Sequence, residues 1–166
     1  MLKSFAPIAG LNPKVLILGS MPSQKSLEAQ QYYAHPQNSF WWVMANIFDF
    51  SVDLPYSEKV HKIEQNVVAV WDVLQECKRE GSLDSNIMRN SEVVNDIPGL
   101  LKSHSTITFL GFNGGAAKAI YKRHIGFVNE NHHSVQLPST SPAHASITKQ
   151  QKYKVWQQAM LPYLKG

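Results

Sequence analysis

A chain of 166 residues, 43% apolar and 17% charged, is long enough to bury one good core and is expected to form a single domain over residues 1–166. Its one cysteine, Cys77, excludes an intrachain disulfide and the usual cysteine-ligated zinc or iron–sulfur site, and it points to a reducing, cytoplasmic setting. No apolar run approaches the ~20 residues that span a bilayer, the start lacks a signal-peptide pattern, and the net charge of +4 suits a polyanionic partner without demanding one.

In chain order, the first element is a strand over 14–18, where Val15, Leu16, Ile17 and Leu18 run without a polar break. A helix over 39–48 follows from the spacing of Phe40, Val43, Met44, Ile47 and Phe48. A short helix over 57–64 leads to a strand over 66–71. The next helix, over 92–102, is interrupted early by Pro98. A strand over 106–110 precedes a helix over 113–124, which opens on Asn-Gly-Gly and carries Ala116, Ala117, Ile120 and Tyr121. A strand over 134–137 and a helix over 148–164 close the chain, with Pro162 expected to bend or end that helix. Strands alternating with helices argue for a parallel sheet covered on both faces. Function in such folds gathers beyond the carboxyl ends of the strands, so the loops after Leu18, around Trp71-Asp72, after Leu110 and after Leu137 hold the candidate residues.

Two of these loops are unusual. Gly19-Ser20-Met21-Pro22-Ser23 leads through Tyr32-Tyr33-Ala34-His35-Pro36-Gln37-Asn38-Ser39-Phe40-Trp41-Trp42, a stretch dense in rings, amides and imidazole. A strand end opening onto such groups suits a planar ligand. The second is Leu137-Pro138-Ser139-Thr140-Ser141-Pro142-Ala143-His144-Ala145, stiff and rich in hydroxyls. Gly111-Phe112-Asn113-Gly114-Gly115 lacks the residues of a P-loop and the spacing of a dinucleotide fingerprint, and reads as a loop on the same rim. Lys118, Lys122 and Arg123 after it are phosphate contacts or a solvated basic face. Adjacent His132 and His133 point to opposite faces of a strand, and no metal is expected.

The segment His35 to Trp41 is similar to a stretch of the mismatch-specific uracil-DNA glycosylases. Combined with the Gly19–Ser23 and Leu137–Ala143 motifs, the chain resembles the hypoxanthine-DNA glycosylase branch of the uracil-DNA glycosylase superfamily more closely. The resemblance implies a three-layer α/β/α fold with a central four-stranded parallel sheet, in agreement with the pattern above. It implies a monofunctional DNA glycosylase of base excision repair acting on a deaminated base, hypoxanthine first and uracil or xanthine as alternatives. The expected partner is double- or single-stranded DNA, with no cofactor and a monomeric chain. Two places depart from the family. Met21 stands where uracil-removing relatives have an Asp or Asn that aligns water, and Leu137 stands where some relatives have a histidine. Met21 keeps open a different reading, a noncatalytic nucleic-acid-binding module.

Carried over by that resemblance, the water-positioning role falls on Asn38, which on its residue type alone reads equally as a helix cap. Tyr33 takes the place of the ring that stacks on the flipped base, and Phe40 is the alternative stacker, although its spacing fits a core residue. Asp72 stands where relatives carry a base-reading Asn; as an acceptor it suits the N1–H of hypoxanthine, and it could instead activate water. The backbone N–H groups of Gly19, Ser20, Met21 and Pro22's neighbours are candidates to face the leaving base. Pro138, Ser139, Thr140, Ser141 and Pro142 are expected against the DNA backbone, with Ala143 and His144 at the edge of the gap that a flipped base leaves. No lysine stands at the proposed site, so hydrolysis rather than lyase chemistry is expected.

Overall fold

The structure, a computed structural model, describes residues 1–127 and 131–164. Its centre is a four-stranded parallel sheet made of β2 (Val15–Gly19), β3 (Val68–Asp72), β6 (Phe109–Asn113) and β7 (His133–Leu137), in the order β3-β2-β6-β7. Strict alternation explains why both faces are covered. Val15, Ile17, Val68, Val70 and Phe109 point into one cluster, packed by α2 (Phe40–Phe48), α3 (Tyr56–Gln65) and α6 (Lys149–Leu164). Leu16, Leu18, Ala69, Leu110 and Phe112 point into the other, packed by α4 (Ile97–Ser103) and α5 (Gly115–His124). The result is the three-layer α/β/α arrangement expected from the sequence.

A second, antiparallel sheet was not expected. It joins β1 (Leu2–Lys3), β4 (Leu74–Cys77) and β5 (Val93–Val94), in the order β1-β4-β5. These strands are too short to leave a period in the sequence, and their pairing is long-range. Another addition is α1 (Gln24–Ala29), capped by Ser23, whose hydroxyl accepts the Ser26 N–H.

Other expectations shift. The helix expected over 92–102 starts only at Ile97, because 93–94 pairs as β5. Pro98 does not interrupt it; it sits in the first turn, where its missing N–H has no intrahelical partner to lose, and Asp96 caps that turn by accepting the Gly99 N–H. The strand expected over 106–110 runs three residues later, through Gly111 and Asn113, residues of low strand propensity that only the pairing with β2 and β7 keeps extended. Pro162 does not end α6, which continues to Leu164. Among the described residues no helix is long and apolar enough to cross a membrane.

The register brings the strand ends together. Gly19 pairs with Asp72, and Asn113 with Leu137. Every central strand therefore delivers its last residue, or the loop after it, to one edge of the sheet.

Candidate active site

At that edge lies a pocket lined by Gly19–Ser23, Tyr33, Asn38, Asp72, Asn113 and Ser139–Ser141, among others. Its floor is made by three residues. A Cβ on Gly19 would lie 2.5 Å from Asp72 Oδ1 and 2.9 Å from Tyr33 Oη, so only glycine leaves this space open. Asp72 is 3% exposed, and its Oδ2 has no hydrogen-bond partner. The Tyr33 hydroxyl is likewise buried without one. Such orphaned atoms are rare in folded proteins, and each normally means a missing partner.

Electrostatics follow from this burial. Desolvation, reinforced by the neighbouring Asp84 charge and opposed by Arg79, pushes the Asp72 carboxyl up to about 7. Desolvation and then the Asp72 charge raise the Tyr33 hydroxyl far above its ordinary range, so it remains a neutral donor. Arg79 is 8% exposed yet forms no ion pair with either carboxylate: Nε donates to the Gly81 carbonyl and Nη2 to the Pro22 carbonyl, both at 2.7 Å. Burial lowers its own pKa. Asp84 sits at the pocket mouth, where Ser20 Oγ donates to its Oδ1 at 2.5 Å.

Tyr33 is held by its neighbours. Its φ of 54° lies in the left-handed region, unfavourable for a bulky residue. Tyr32 explains how this is enforced: its N–H donates to Tyr56 Oη, its hydroxyl to the Ala6 carbonyl, and its carbonyl accepts the Trp41 indole. On the other side Ala34 N–H donates to the buried Ser26 hydroxyl. Phe40 stacks on the Tyr33 ring at 4.1 Å and is itself 0% exposed. It therefore backs the tyrosine from the core and does not line the pocket.

Asn38 lines the pocket from the loop before α2. Its Oδ1 accepts the Phe40 N–H at 2.9 Å, so one lone pair serves the start of the helix while the other stays available. The cap and the solvent-facing roles are compatible. Met21 is 7% exposed and packs in the second core cluster while lining the pocket, in keeping with a thioether that makes no strong hydrogen bond.

The later motif divides. Ser139, Thr140 and Ser141 line the pocket, whereas Pro142, Ala143 and His144 are exposed beyond it. The Pro138 carbonyl accepts the Trp156 indole, anchoring the loop to α6. Thr140 is clasped by Asn113: the amide Nδ2 donates to Thr140 Oγ1, and Oδ1 accepts the Thr140 N–H, both at 2.9 Å. The Thr140 carbonyl in turn accepts the Ser39 N–H at 3.0 Å, tying the two motifs together.

Asn113, Asp84, Arg79, Ser82 and Ser26 were not singled out as site residues by the sequence. Asn113 had a signal, since it ends a central strand as Asp72 does. The others arrive through α1 and an irregular segment, for which local pattern offers nothing. Arg123, a candidate phosphate contact, instead pairs with Glu92 at 2.6 Å. Among the described residues no cluster of three His, Cys, Asp or Glu side chains could hold a metal.

A parallel sheet carrying a pocket of this composition at its carboxyl edge matches one class of protein. The description of the uracil DNA glycosylase superfamily covers residues 7–165, and the chain belongs to that family, whose enzymes hydrolyse N-glycosidic bonds. The chain is 33% identical over 150 residues to a hypoxanthine DNA glycosylase of Methanosarcina acetivorans, spanning 89% of this chain and 90% of that protein. It is 32% identical over 113 residues to a hypoxanthine DNA glycosylase of Methanosarcina barkeri, spanning 68% and 70%. The solution NMR structure of a candidate uracil DNA glycosylase from Methanosarcina acetivorans superposes with a TM-score of 0.75 at 30% identity, over 95% of this chain and 97% of that one.

Proposed function

We propose that the protein removes hypoxanthine from deoxyinosine in DNA. The observation that carries this reading is the buried Asp72 carboxyl, unpartnered at Oδ2, on a floor that Gly19 keeps open. A carboxylate only accepts hydrogen bonds, which suits the N1–H of hypoxanthine and suits the mixed edge of a pyrimidine less well. Tyr33, backed by Phe40, supplies a flat face for the extruded base.

The reaction needs little from the protein once the base is out of the stack. As the C1′–N bond stretches, the sugar gains oxocarbenium character and the base leaves as an anion. The turn at Gly19–Pro22 offers fixed backbone dipoles to that anion. Asn38, with its remaining lone pair, orients the water that attacks C1′, while its first lone pair stays on Phe40 N–H. Ser139–Ser141 contact the DNA backbone beside the pocket. The chain works without a cofactor, and its buried Cys77 thiol fits a reducing cytoplasm.

The test is excision from labelled duplexes carrying deoxyinosine, deoxyuridine or deoxyxanthosine, followed by alkali to cut abasic sites. Cleavage foremost at deoxyinosine is expected. Cleavage only at another base keeps the chemistry and overturns the substrate, and intact strands on all three overturn the enzyme.

A further inference from the structure

Extruding a nucleotide leaves a gap in the stack, and proteins that unstack base steps commonly insert an apolar side chain there. The Pro138–His144 loop supplies no large aliphatic residue at its exposed tip, where Pro142, Ala143 and His144 stand. The opposite rim does. Among the described residues, Leu83 is the exposed large apolar side chain with a pocket-lining neighbour on each side, Ser82 and Asp84. It is 52% exposed.

The turn that carries it is anchored to the wall of the base pocket. Ser82 Oγ accepts the Gln24 N–H at 2.9 Å, and Ser20 Oγ donates to Asp84 Oδ1 at 2.5 Å. Behind it, Arg79 Nε holds the Gly81 carbonyl at 2.7 Å. Gly81 turns the chain with a φ of 69° and has open space around it. Ahead of it, the Asn86 N–H donates to the Leu83 carbonyl at 3.0 Å, closing a 3-10 turn over Asp84–Asn86. An exposed leucine on a turn fixed at four points is presented, not merely left over. Its flanking residues share the pocket with Gly19, Tyr33 and Asp72.

We propose that Leu83 is the wedge that enters the duplex stack where the target nucleotide leaves. The proposal rests on the base-extruding reading above. It places insertion on this turn and leaves the Ser139–Ser141 side to the phosphate backbone.

The test compares wild type with Leu83→Ala and Leu83→Met, all surface changes, on two substrates. One is a duplex with 2-aminopurine next to deoxyinosine; the other is the same deoxyinosine strand alone. Leu83→Ala is expected to lose at least about tenfold in single-turnover excision from the duplex, together with the 2-aminopurine fluorescence rise, because unstacking a step costs a few kcal/mol. Its rate on the single strand stays within about twofold, and Leu83→Met restores the duplex rate. Equal losses on both substrates, or none on the duplex, overturn the wedge. If wild type excises no deoxyinosine, the failure belongs to the substrate reading. The fluorescence rise of wild type and Leu83→Ala on a mismatched 2-aminopurine duplex then decides: a difference supports the wedge, and equal signals overturn it.

Discussion

Two carboxylates in this protein are almost completely covered, and they are treated in opposite ways. Glu92, just after the 3-10 turn Arg89–Ser91, has a side chain 3% exposed, and its Oε1 meets Arg123 Nη2 at 2.6 Å and His124 Nε2 at 2.7 Å. Burial alone would raise its pKa, but those hydrogen bonds and charges outweigh it and hold the carboxyl below its usual range. Asp72 is as well covered, yet the nearby guanidinium of Arg79 spends its donors on backbone carbonyls, and Asp72 is pushed up to about 7. A fold that can supply two partners to Glu92 leaves Asp72 Oδ2 with none. An unsatisfied buried polar group costs about 1–3 kcal/mol. The contrast separates scaffold from site: the satisfied carboxylate joins α5 to the antiparallel sheet, and the unsatisfied one faces a cavity.

Asn38 is the intermediate case, with one lone pair given to the helix and one left over, and the largest expected effect comes from deleting it. Asn38→Ala should reduce single-turnover excision by about 100-fold, since misplacing the nucleophile costs on that order. Losing the cap should also lower stability by about 1 kcal/mol. Asn38→Ser retains a weaker local hydrogen bond to the backbone; it is expected to recover the stability and not the turnover. DNA binding, read by fluorescence anisotropy, should survive in both, and wild-type turnover in either would remove Asn38 from the chemistry.

Gly19→Ala comes next. The new methyl would meet Asp72 Oδ1 and Tyr33 Oη, both on strand- or core-anchored residues with little room to retreat. Excision should fall by at least about tenfold through a weaker hold on the base, a 1.4 kcal/mol effect or more. A variant excising at the wild-type rate would show that the base does not reach this floor.

Asp72→Asn turns the comparison itself into a measurement. Adding a donor to the edge-reading group should move the preference for hypoxanthine over uracil by about tenfold towards uracil. In the wild type, excision of hypoxanthine should rise with pH through about 7, as the carboxyl ionises. Stability runs the other way. A carboxyl with a raised pKa in the folded state binds more protons folded than unfolded between its two pKa values, so stability falls as pH rises from about 4 to about 7. The asparagine variant should therefore be the more stable protein above pH 7, by up to about 4 kcal/mol, and lose that advantage near pH 4. Denaturant midpoints at the two ends check this, and an unchanged difference would mean Asp72 is partnered after all.

What the sequence could reveal follows from the range of the interactions involved. The central sheet was legible because Val15 to Leu18 and Val67 to Trp71 are continuous apolar runs, and the helices because of their 3.6-residue spacing. Gly19, Asp72, Asn38 and Tyr33 stood at strand ends or in motifs and lie together in one pocket. The antiparallel sheet was invisible, because Leu2 pairing with Cys77 leaves no local pattern. Phe40 could be read as a ring near the ligand, and only the packing reveals it as the support behind Tyr33. Arg79 and Asp84 were missed for the same reason: a buried arginine 57 residues from the Pro22 carbonyl it holds leaves no mark on its neighbours in sequence.

The smallest expected effect tests the other half of the contrast. Glu92→Gln keeps the shape and removes the charge opposite Arg123 and His124. At neutral pH it should cost about 1–3 kcal/mol of stability, the range for hydrogen bonds to charged groups. Because the folded-state pKa of Glu92 is lowered, its contribution is present above the ordinary carboxylate range and disappears as pH falls through it, so wild type and variant should converge in acid. Excision rate and base preference should not change, since Glu92 does not line the pocket. If Glu92→Gln shifted the preference as Asp72→Asn is expected to, the two carboxylates would be parts of one electrostatic system, and the separation of scaffold from site would fail.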